Sequence, residues 1–199
     1  MRLIVGLGNP GARYVNTRHN VGFEVLARLA RRWHASPPRE RFQAELSEAE
    51  FAQQRCLLAA PLTYMNHSGL AVQQLVHFYR IPWEAVLIIC DDMNLPVGHV
   101  RLRAEGSAGG QKGLHNILSL AGTTAVPRLR IGVGRPPPQH DPADYVLGKI
   151  PSSQLPIYDQ AFEKAVEAVE WWTELGIDKA MSRTNTRPPP PPEASSTVG

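Results

Sequence analysis

Six consecutive apolar residues at positions 85–90 (AVLIIC) form the most apolar run of this sequence. The run has the length of one strand and does not alternate between polar and apolar residues, a pattern typical of a strand buried on both faces. Residues 3–7 (LIVGL) and 56–61 (CLLAAP) are similar short runs bounded by glycine or proline. The sequence therefore predicts strands at these three places, with residues 85–90 in a central strand of a sheet.

Segments with helical periodicity alternate with these strands. Val21, Val25, Leu29 and Trp33 recur every four residues and place one apolar stripe on a helix. Further helices are predicted at residues 70–79, 113–122, 162–172 and 177–183, and further strands at 42–46, 99–103 and 129–134. Because helices and strands alternate along the chain, we predict the α/β class, as a single domain with a twisted mixed β-sheet flanked by helices.

The prolines indicate where the folded part of the chain ends. Five of the 18 prolines form one run at residues 188–192, and the residues that follow lack apolar periodicity. We therefore predict a domain at residues 1–185 and a disordered, proline-rich tail at 186–199, with the proline run in polyproline II. The tail is either a solvated terminus or a ligand for a partner that binds polyproline II.

Composition excludes several classes of protein. Two cysteines among 199 residues are too few for a disulfide-stapled secreted scaffold or for a four-cysteine zinc site. No apolar stretch reaches the roughly 18 residues of a membrane span, and the N-terminus does not resemble a signal peptide. We expect a soluble, cytoplasmic protein that does not bind membranes. Its net charge of +3 is compatible with a polyanionic partner but does not prove one.

Three glycines near the N-terminus imitate a dinucleotide-binding fingerprint. Gly6, Gly8 and Gly11 have the G-x-G-x-x-G spacing and follow a predicted strand. The fingerprint also requires a helix that opens at the third glycine and an acidic residue about 20 positions later. Here the periodic helix begins about eight or more residues too late, and residues 28–39 contain no acidic residue. A dinucleotide-dependent enzyme is therefore disfavoured.

Polar residues follow three of the predicted strands, at the edge where open α/β sheets bind ligands. Asn9 and His19 come after the first strand, Asn66 after residues 56–61, and Asp91 directly after residues 85–90. A histidine, a carboxylate that orients it and neutral amides can activate water for hydrolysis without a nucleophilic serine or a metal. By its position alone, a structural or capping role is favoured for His19. The histidine and cysteine spacings match no zinc site, so we expect no metal.

Four segments carry a resemblance to a known family: residues 3–26 (LIVGLGNPGARYVNTRHNVGFEVL), 61–69 (PLTYMNHSG), 91–114 (DDMNLPVGHVRLRAEGSAGGQKGL) and 129–136 (LRIGVGRP). In this order and spacing they closely resemble bacterial peptidyl-tRNA hydrolase over residues 1–185. The resemblance implies a monomeric, phosphorylase/hydrolase-like α/β esterase without a metal or cofactor. Its substrate would be peptidyl-tRNA, whose ester between peptide and tRNA it cleaves to release both.

The resemblance also implies roles for individual residues. The general base of the family falls on His19 and its orienting carboxylate on Asp91. The substrate-binding positions of the family fall on Asn9, Tyr14, Met65 and Asn66, and its basic pair for tRNA phosphate falls on Arg103 and Arg130. Without the resemblance, each arginine would be interpreted as a solvated surface charge.

One segment departs from the family pattern. Where the family usually has G-G-H-N-G-L, this chain has Gly109-Gly110-Gln111-Lys112-Gly113-Leu114, so that Lys112 replaces a substrate-binding asparagine. Lysine can donate to a carbonyl or a phosphate but cannot accept a hydrogen bond. Two functions therefore stay open: an esterase acting on peptidyl-tRNA, and an RNA-binding homologue with weak or lost hydrolysis.

Overall fold

The computed structural model describes residues 1–186, in which seven strands form one mixed sheet. The strand order across the sheet is β2-β3-β4-β1-β5-β7-β6. Neighbours among β4, β1, β5 and β7 run parallel, whereas β2, β3 and β6 join through antiparallel pairs. The strands are β1 (Arg2–Gly6), β2 (Arg39–Arg41), β3 (Ala44–Phe51), β4 (Gln54–Pro61), β5 (Val86–Asp92), β6 (Val100–Arg103) and β7 (Arg128–Gly132).

Helices cover both faces of this sheet. The helices are α1 (Val21–Arg32), α2 (Ser68–Tyr79), α3 (Lys112–Ala121), α4 (Pro142–Leu147), α5 (Leu155–Leu175) and α6 (Ile177–Thr184). In β5, Leu87 and Ile89 pack in the core formed with α1 and α5, whereas Ile88 and Cys90 pack in the core formed with α2 and α3. The predicted α/β class, with a mixed sheet flanked by helices, is confirmed, and every residue of β5 is buried as expected of a central strand.

The predicted strand at residues 42–46 is wrong in its first part. Phe42 and Gln43 have φ values of 54° and 57° and form the turn that joins β2 to β3, which begins at Ala44. Ala52 and Gln53, with φ values of 51° and 60°, form a second turn between β3 and β4. Neither turn contains the glycine or asparagine that usually marks such conformations, so these hairpins have no local signal in the sequence.

The carboxyl ends of β1, β4 and β5 meet at one edge of the sheet because these strands are parallel. Helix α1 lies close to this edge: a Cβ atom on Gly6 would be 2.3 Å from the carbonyl oxygen of Gly22. In the edge strand β6, the main chain of Leu102 exchanges two hydrogen bonds with the side chain of Asn185.

The predicted proline-rich tail falls almost entirely on residues 187–199, which lie outside the described residues. Of the helices at residues 1–186, none combines the length and the apolarity that crossing a membrane requires.

Candidate active site

A cleft of about 560 Å³ opens at the carboxyl edge of β1, β4 and β5. Six of the residues predicted to form a site line it together, although they come from four separate parts of the chain. These are Asn9, His19, Met65, Asn66, Asp91 and Lys112. Helix α4, which the sequence analysis did not predict, supplies part of the opposite wall. The sequence does contain a helix-start pattern here: Asp141 caps α4 and Pro142 is its first residue, and both residue types are common at those positions.

His19 and Asp91 form a buried pair in this cleft. His19 lies in a 3₁₀ turn (Arg18–Asn20) directly before α1, and Asp91 lies near the end of β5. The imidazole Nδ1–H donates to Asp91 Oδ2 over 2.9 Å, and the two residues are only 8% and 3% exposed. Because Nδ1 carries the proton in this arrangement, the lone pair of the neutral ring is on Nε2. The Nε2 atom of the neutral ring can therefore accept a proton.

Asn9 is oriented by main-chain and side-chain contacts on both sides. Its Oδ1 accepts from the Met65 N–H over 2.8 Å, while its own main-chain N–H and C=O bond the side-chain amide of Asn20 at 2.9 and 3.0 Å. Since Oδ1 faces an N–H, the Nδ2 group is the free end of the amide. Within residues 1–186 no hydrogen bond engages Nδ2. Asn9 therefore offers two donors to a ligand carbonyl in the cleft.

Asn66 and Lys112 lie at one end of the cleft, and both side chains are exposed. They also line an adjoining cavity of about 380 Å³, together with His115 and Asn116 of α3. By contrast, Tyr14 lies outside the lining of either space; its hydroxyl accepts from Arg13, whose guanidinium stacks on the ring. The structure thus brings Lys112 to the cleft and leaves Tyr14 outside its lining.

Arginines share one face of the β6–β7 pair. Arg101 lies opposite Arg130, and Arg103 lies opposite Arg128. Because residues that are paired or two apart in a strand project from the same face, all four point to one side. The fully buried Arg128 donates to loop carbonyls and is structural. Arg101, which the sequence analysis did not assign a role, is exposed beside the two predicted phosphate contacts.

Arg130 also forms an ion pair with Asp92. The Nη2 atom lies 2.7 Å from Asp92 Oδ2, and the side chains of Arg130 and Asp92 are 22% and 3% exposed. Asp92 directly follows Asp91, so one end of β5 holds both the histidine and an arginine of the basic face.

Two further residues of the site were missed by the sequence analysis. Gln111, at the start of α3, donates a hydrogen bond to Asp91. Arg18 donates to three carbonyl oxygens at the end of α4, those of Tyr145, Gly148 and Lys149. These bonds hold the end of α4 beside the cleft. Both side chains are buried and polar. Such contacts link residues 20 to 131 positions apart and leave no local pattern in the sequence.

Cys90 is not a nucleophile of this site. Its side chain packs in the core under α2 and α3 and is 1% exposed. Burial, followed by the nearby Asp91, raises the pKa of its thiol well above the ordinary range. Among residues 1–186, no three histidine, cysteine, aspartate or glutamate side chains are grouped to hold a metal ion.

Comparisons with known proteins agree with this geometry. A profile of the family described as peptidyl-tRNA hydrolase matches residues 3–192. The chain is 46% identical over 185 residues to the peptidyl-tRNA hydrolase of Rhodopirellula baltica, covering 93% of this chain and 97% of that protein. It is 44% identical over 187 residues to that of Desulforamulus reducens, covering 94% and 90%.

Solved structures give the same result at the level of the fold. A peptidyl-tRNA hydrolase in complex with N-propanol superposes with a TM-score of 0.89 at 34% identity, covering 95% of this chain and 96% of that one. The enzyme of Acinetobacter baumannii superposes with a TM-score of 0.88 at 34% identity, covering 94% and 95%. The chain therefore belongs to the peptidyl-tRNA hydrolase family.

Proposed function

We propose that this protein hydrolyses the ester bond between the peptide and the tRNA in peptidyl-tRNA, releasing free peptide and free tRNA. The observation that carries the proposal is the buried His19–Asp91 pair in the lining of the cleft, in which Nδ1 of the histidine is bonded to the carboxylate and Nε2 is not. The lining also includes the neutral amides of Asn9 and Asn66 and the ammonium group of Lys112, which suit a substrate with a peptide carbonyl and a nearby phosphate backbone.

His19 acts as the general base. Its Nε2 takes a proton from a water molecule as the water oxygen attacks the ester carbonyl, and Asp91 stabilises the resulting imidazolium. When the intermediate collapses, the imidazolium returns the proton to the 3′ oxygen of the tRNA, so that the base is regenerated.

Asn9 stabilises the oxygen of the ester carbonyl as it becomes negative. Its Nδ2 donors are oriented before the substrate arrives because Oδ1 is committed to the Met65 N–H. Asn66 and Lys112, at the end of the cleft, hold the substrate chain. Lysine at this position adds a positive charge that the family pattern lacks. Because its ammonium group donates hydrogen bonds but cannot accept them, Lys112 is suited to bind an anionic part of the substrate.

The basic face of β6 and β7 binds the tRNA. Arg101 and Arg103 present guanidinium groups on the same face as Arg130, and guanidinium groups bind phosphate oxygens through paired hydrogen bonds. Arg130 reaches Asp92 at the end of β5, so this face is continuous with the cleft. Cytoplasmic location, action as a monomer and the tail at residues 186–199 stay predictions from the sequence.

Release of N-acetyl-aminoacyl groups from tRNA, measured in the presence of EDTA, tests the proposal. We expect turnover by the unmodified protein and a loss of about 10²–10⁴-fold in His19→Ala, the usual contribution of a general base. His77→Ala, which removes an exposed histidine on α2, is the matched control and should keep full activity.

The same assay separates the two candidate functions. An RNA-binding homologue without hydrolysis would bind tRNA but release no acyl group above background. Full activity in His19→Ala would refute the assignment of the base. The retained His19–Asp91 geometry favours the esterase.

A further inference from the structure

Gln111 makes a set of contacts that its place in the sequence does not reveal. It is the residue directly before α3, and only 8% of it is exposed. Its Oε1 accepts from the Leu114 N–H over 2.7 Å, which caps the helix. Its Nε2 lies 3.0 Å from Asp91 Oδ1 and 3.1 Å from Met65 Sδ. One side chain therefore joins the start of α3 to the carboxylate that holds His19.

The orientation of this amide is dictated by its partners. The Leu114 N–H can only donate, so the oxygen of Gln111 must face it, and the NH₂ group must then face Asp91. As a result, each oxygen of the Asp91 carboxylate accepts from a different donor, Oδ2 from His19 and Oδ1 from Gln111.

Two donors constrain a carboxylate more than one does. The χ2 torsion of aspartate is broad, so a carboxylate that is held through one oxygen can still rotate. A second hydrogen bond on the other oxygen fixes the plane of the group and, with it, the direction of the bond to His19 Nδ1. The amide of Gln111 is neutral, so it does this without offsetting the negative charge that stabilises the imidazolium.

We propose that Gln111 is a positioning residue for the hydrolytic reaction: it fixes the Asp91 carboxylate and ties the orientation of His19 to the start of α3, where Lys112 meets the substrate. This inference rests on the proposed function. It explains why a residue inside the segment that departs from the family pattern is nevertheless buried and fully hydrogen-bonded. A shift of Lys112 on substrate contact would then be transmitted to the orientation of His19 through the Gln111 side chain.

Gln111→Glu is the central test because it preserves shape and keeps an acceptor for the Leu114 N–H. It replaces the donor to Asp91 by a second carboxylate, whose charge favours the imidazolium form of His19, which cannot act as a base. We expect the acidic limb of the kcat/KM profile to move up by about one pH unit or more, with roughly tenfold lower activity on that limb and little change in KM.

Two more variants separate positioning from helix capping. Gln111→Ser keeps a good capping residue but cannot donate to Asp91, and we expect kcat to fall about 3- to 10-fold with KM unchanged. Gln111→His restores an N–H near Asp91 and should recover most of that loss. Gln74→Glu, on the exposed face of α2, makes the same charge change away from the site and should leave the pH profile unchanged.

An NMR titration of the His19 ring gives a readout that does not depend on turnover. Its midpoint should move to higher pH in Gln111→Glu but not in Gln74→Glu. The inference is overturned if neither the His19 titration nor the pH profile moves in Gln111→Glu. It is also overturned if the loss of activity in each Gln111 variant equals the loss of folded protein. Failure of the unmodified protein to release acyl groups would instead refute the proposed function, while a shifted His19 titration would still support the positioning role.

Discussion

Replacing Gly22 by alanine tests whether the contact between α1 and the sheet positions His19. A Cβ atom on Gly22 would lie 2.4 Å from Leu7 N, 2.5 Å from Leu7 O and 2.6 Å from Ile89 O. These are main-chain atoms, and Leu7 N–H donates to Ile89 O over 2.9 Å. They cannot rotate away as a flexible side chain would, so α1 has to retreat by about 1 Å to reach an ordinary contact distance.

The expected losses follow from that displacement. Forcing one methyl group into a packed interior typically costs about 1–3 kcal/mol, which lowers the unfolding temperature by about 2–12 °C for a domain of this size. His19 lies three residues before Gly22 and must reach Asp91 on a different element, β5. Because a misplacement of about 1 Å can reduce catalysis about 10²-fold, we expect kcat/KM to fall further than the loss of stability explains.

Steady-state hydrolysis and thermal unfolding, measured on the same preparation, check both effects. Gly122→Ala is the matched control: Gly122 has a φ of 66° and nothing within 4 Å of the added methyl group. This change should cost about 1–2 kcal/mol of stability through backbone strain and leave kcat/KM unchanged. Normal activity and a normal unfolding temperature in Gly22→Ala would show that α1 can move without disturbing the His19–Asp91 pair, which refutes the reasoning.

Other predictions concern charge and thiol chemistry. Arg103→Ala should reduce the salt dependence of tRNA binding by about one unit of slope, and an unchanged slope would remove this residue from the phosphate contacts. Arg130→Ala should cost about 1–3 kcal/mol in denaturant unfolding because it leaves the buried Asp92 carboxylate unpaired; adding Asp92→Asn should recover part of that loss. Burial raises the pKa of the Cys56 thiol to about 11 and that of Cys90 further, so neither should react with N-ethylmaleimide at pH 8 before denaturation. Rapid labelling of the native protein would contradict the buried placement.

The chemistry of the candidate site was predictable because its residues sit at the ends of recognisable strands. The apolar run at 85–90 identified a central strand, and Asp91 follows it directly. The periodic stripe from Val21 identified α1, which placed His19 at a helix start. Both signals are local, and they are strong because a fully buried strand and a one-sided helix each impose a distinctive pattern of apolar residues.

Hairpin turns and supporting contacts were not predictable in the same way. Phe42, Gln43, Ala52 and Gln53 adopt positive φ without any glycine or asparagine, since the pairing of β2, β3 and β4 holds them there. In the sequence, Gln111 is one polar residue in a glycine-rich segment, and nothing near it indicates a partner. Only the packing of α3 against the end of β5 brings its amide to Asp91.

The sequence by itself thus predicted the α/β class, a central strand, and the histidine, carboxylate and amides that line the cleft. The tertiary structure alone decided that Tyr14 stays outside the cleft, that Arg130 is paired with Asp92, and that Gln111 supports the carboxylate. The periodicity of apolar residues shows which residues of a helix or strand are buried and which of their neighbours in the chain are exposed. Which side chains meet across 20 or more intervening residues depends on how the elements pack, and no local periodicity encodes that.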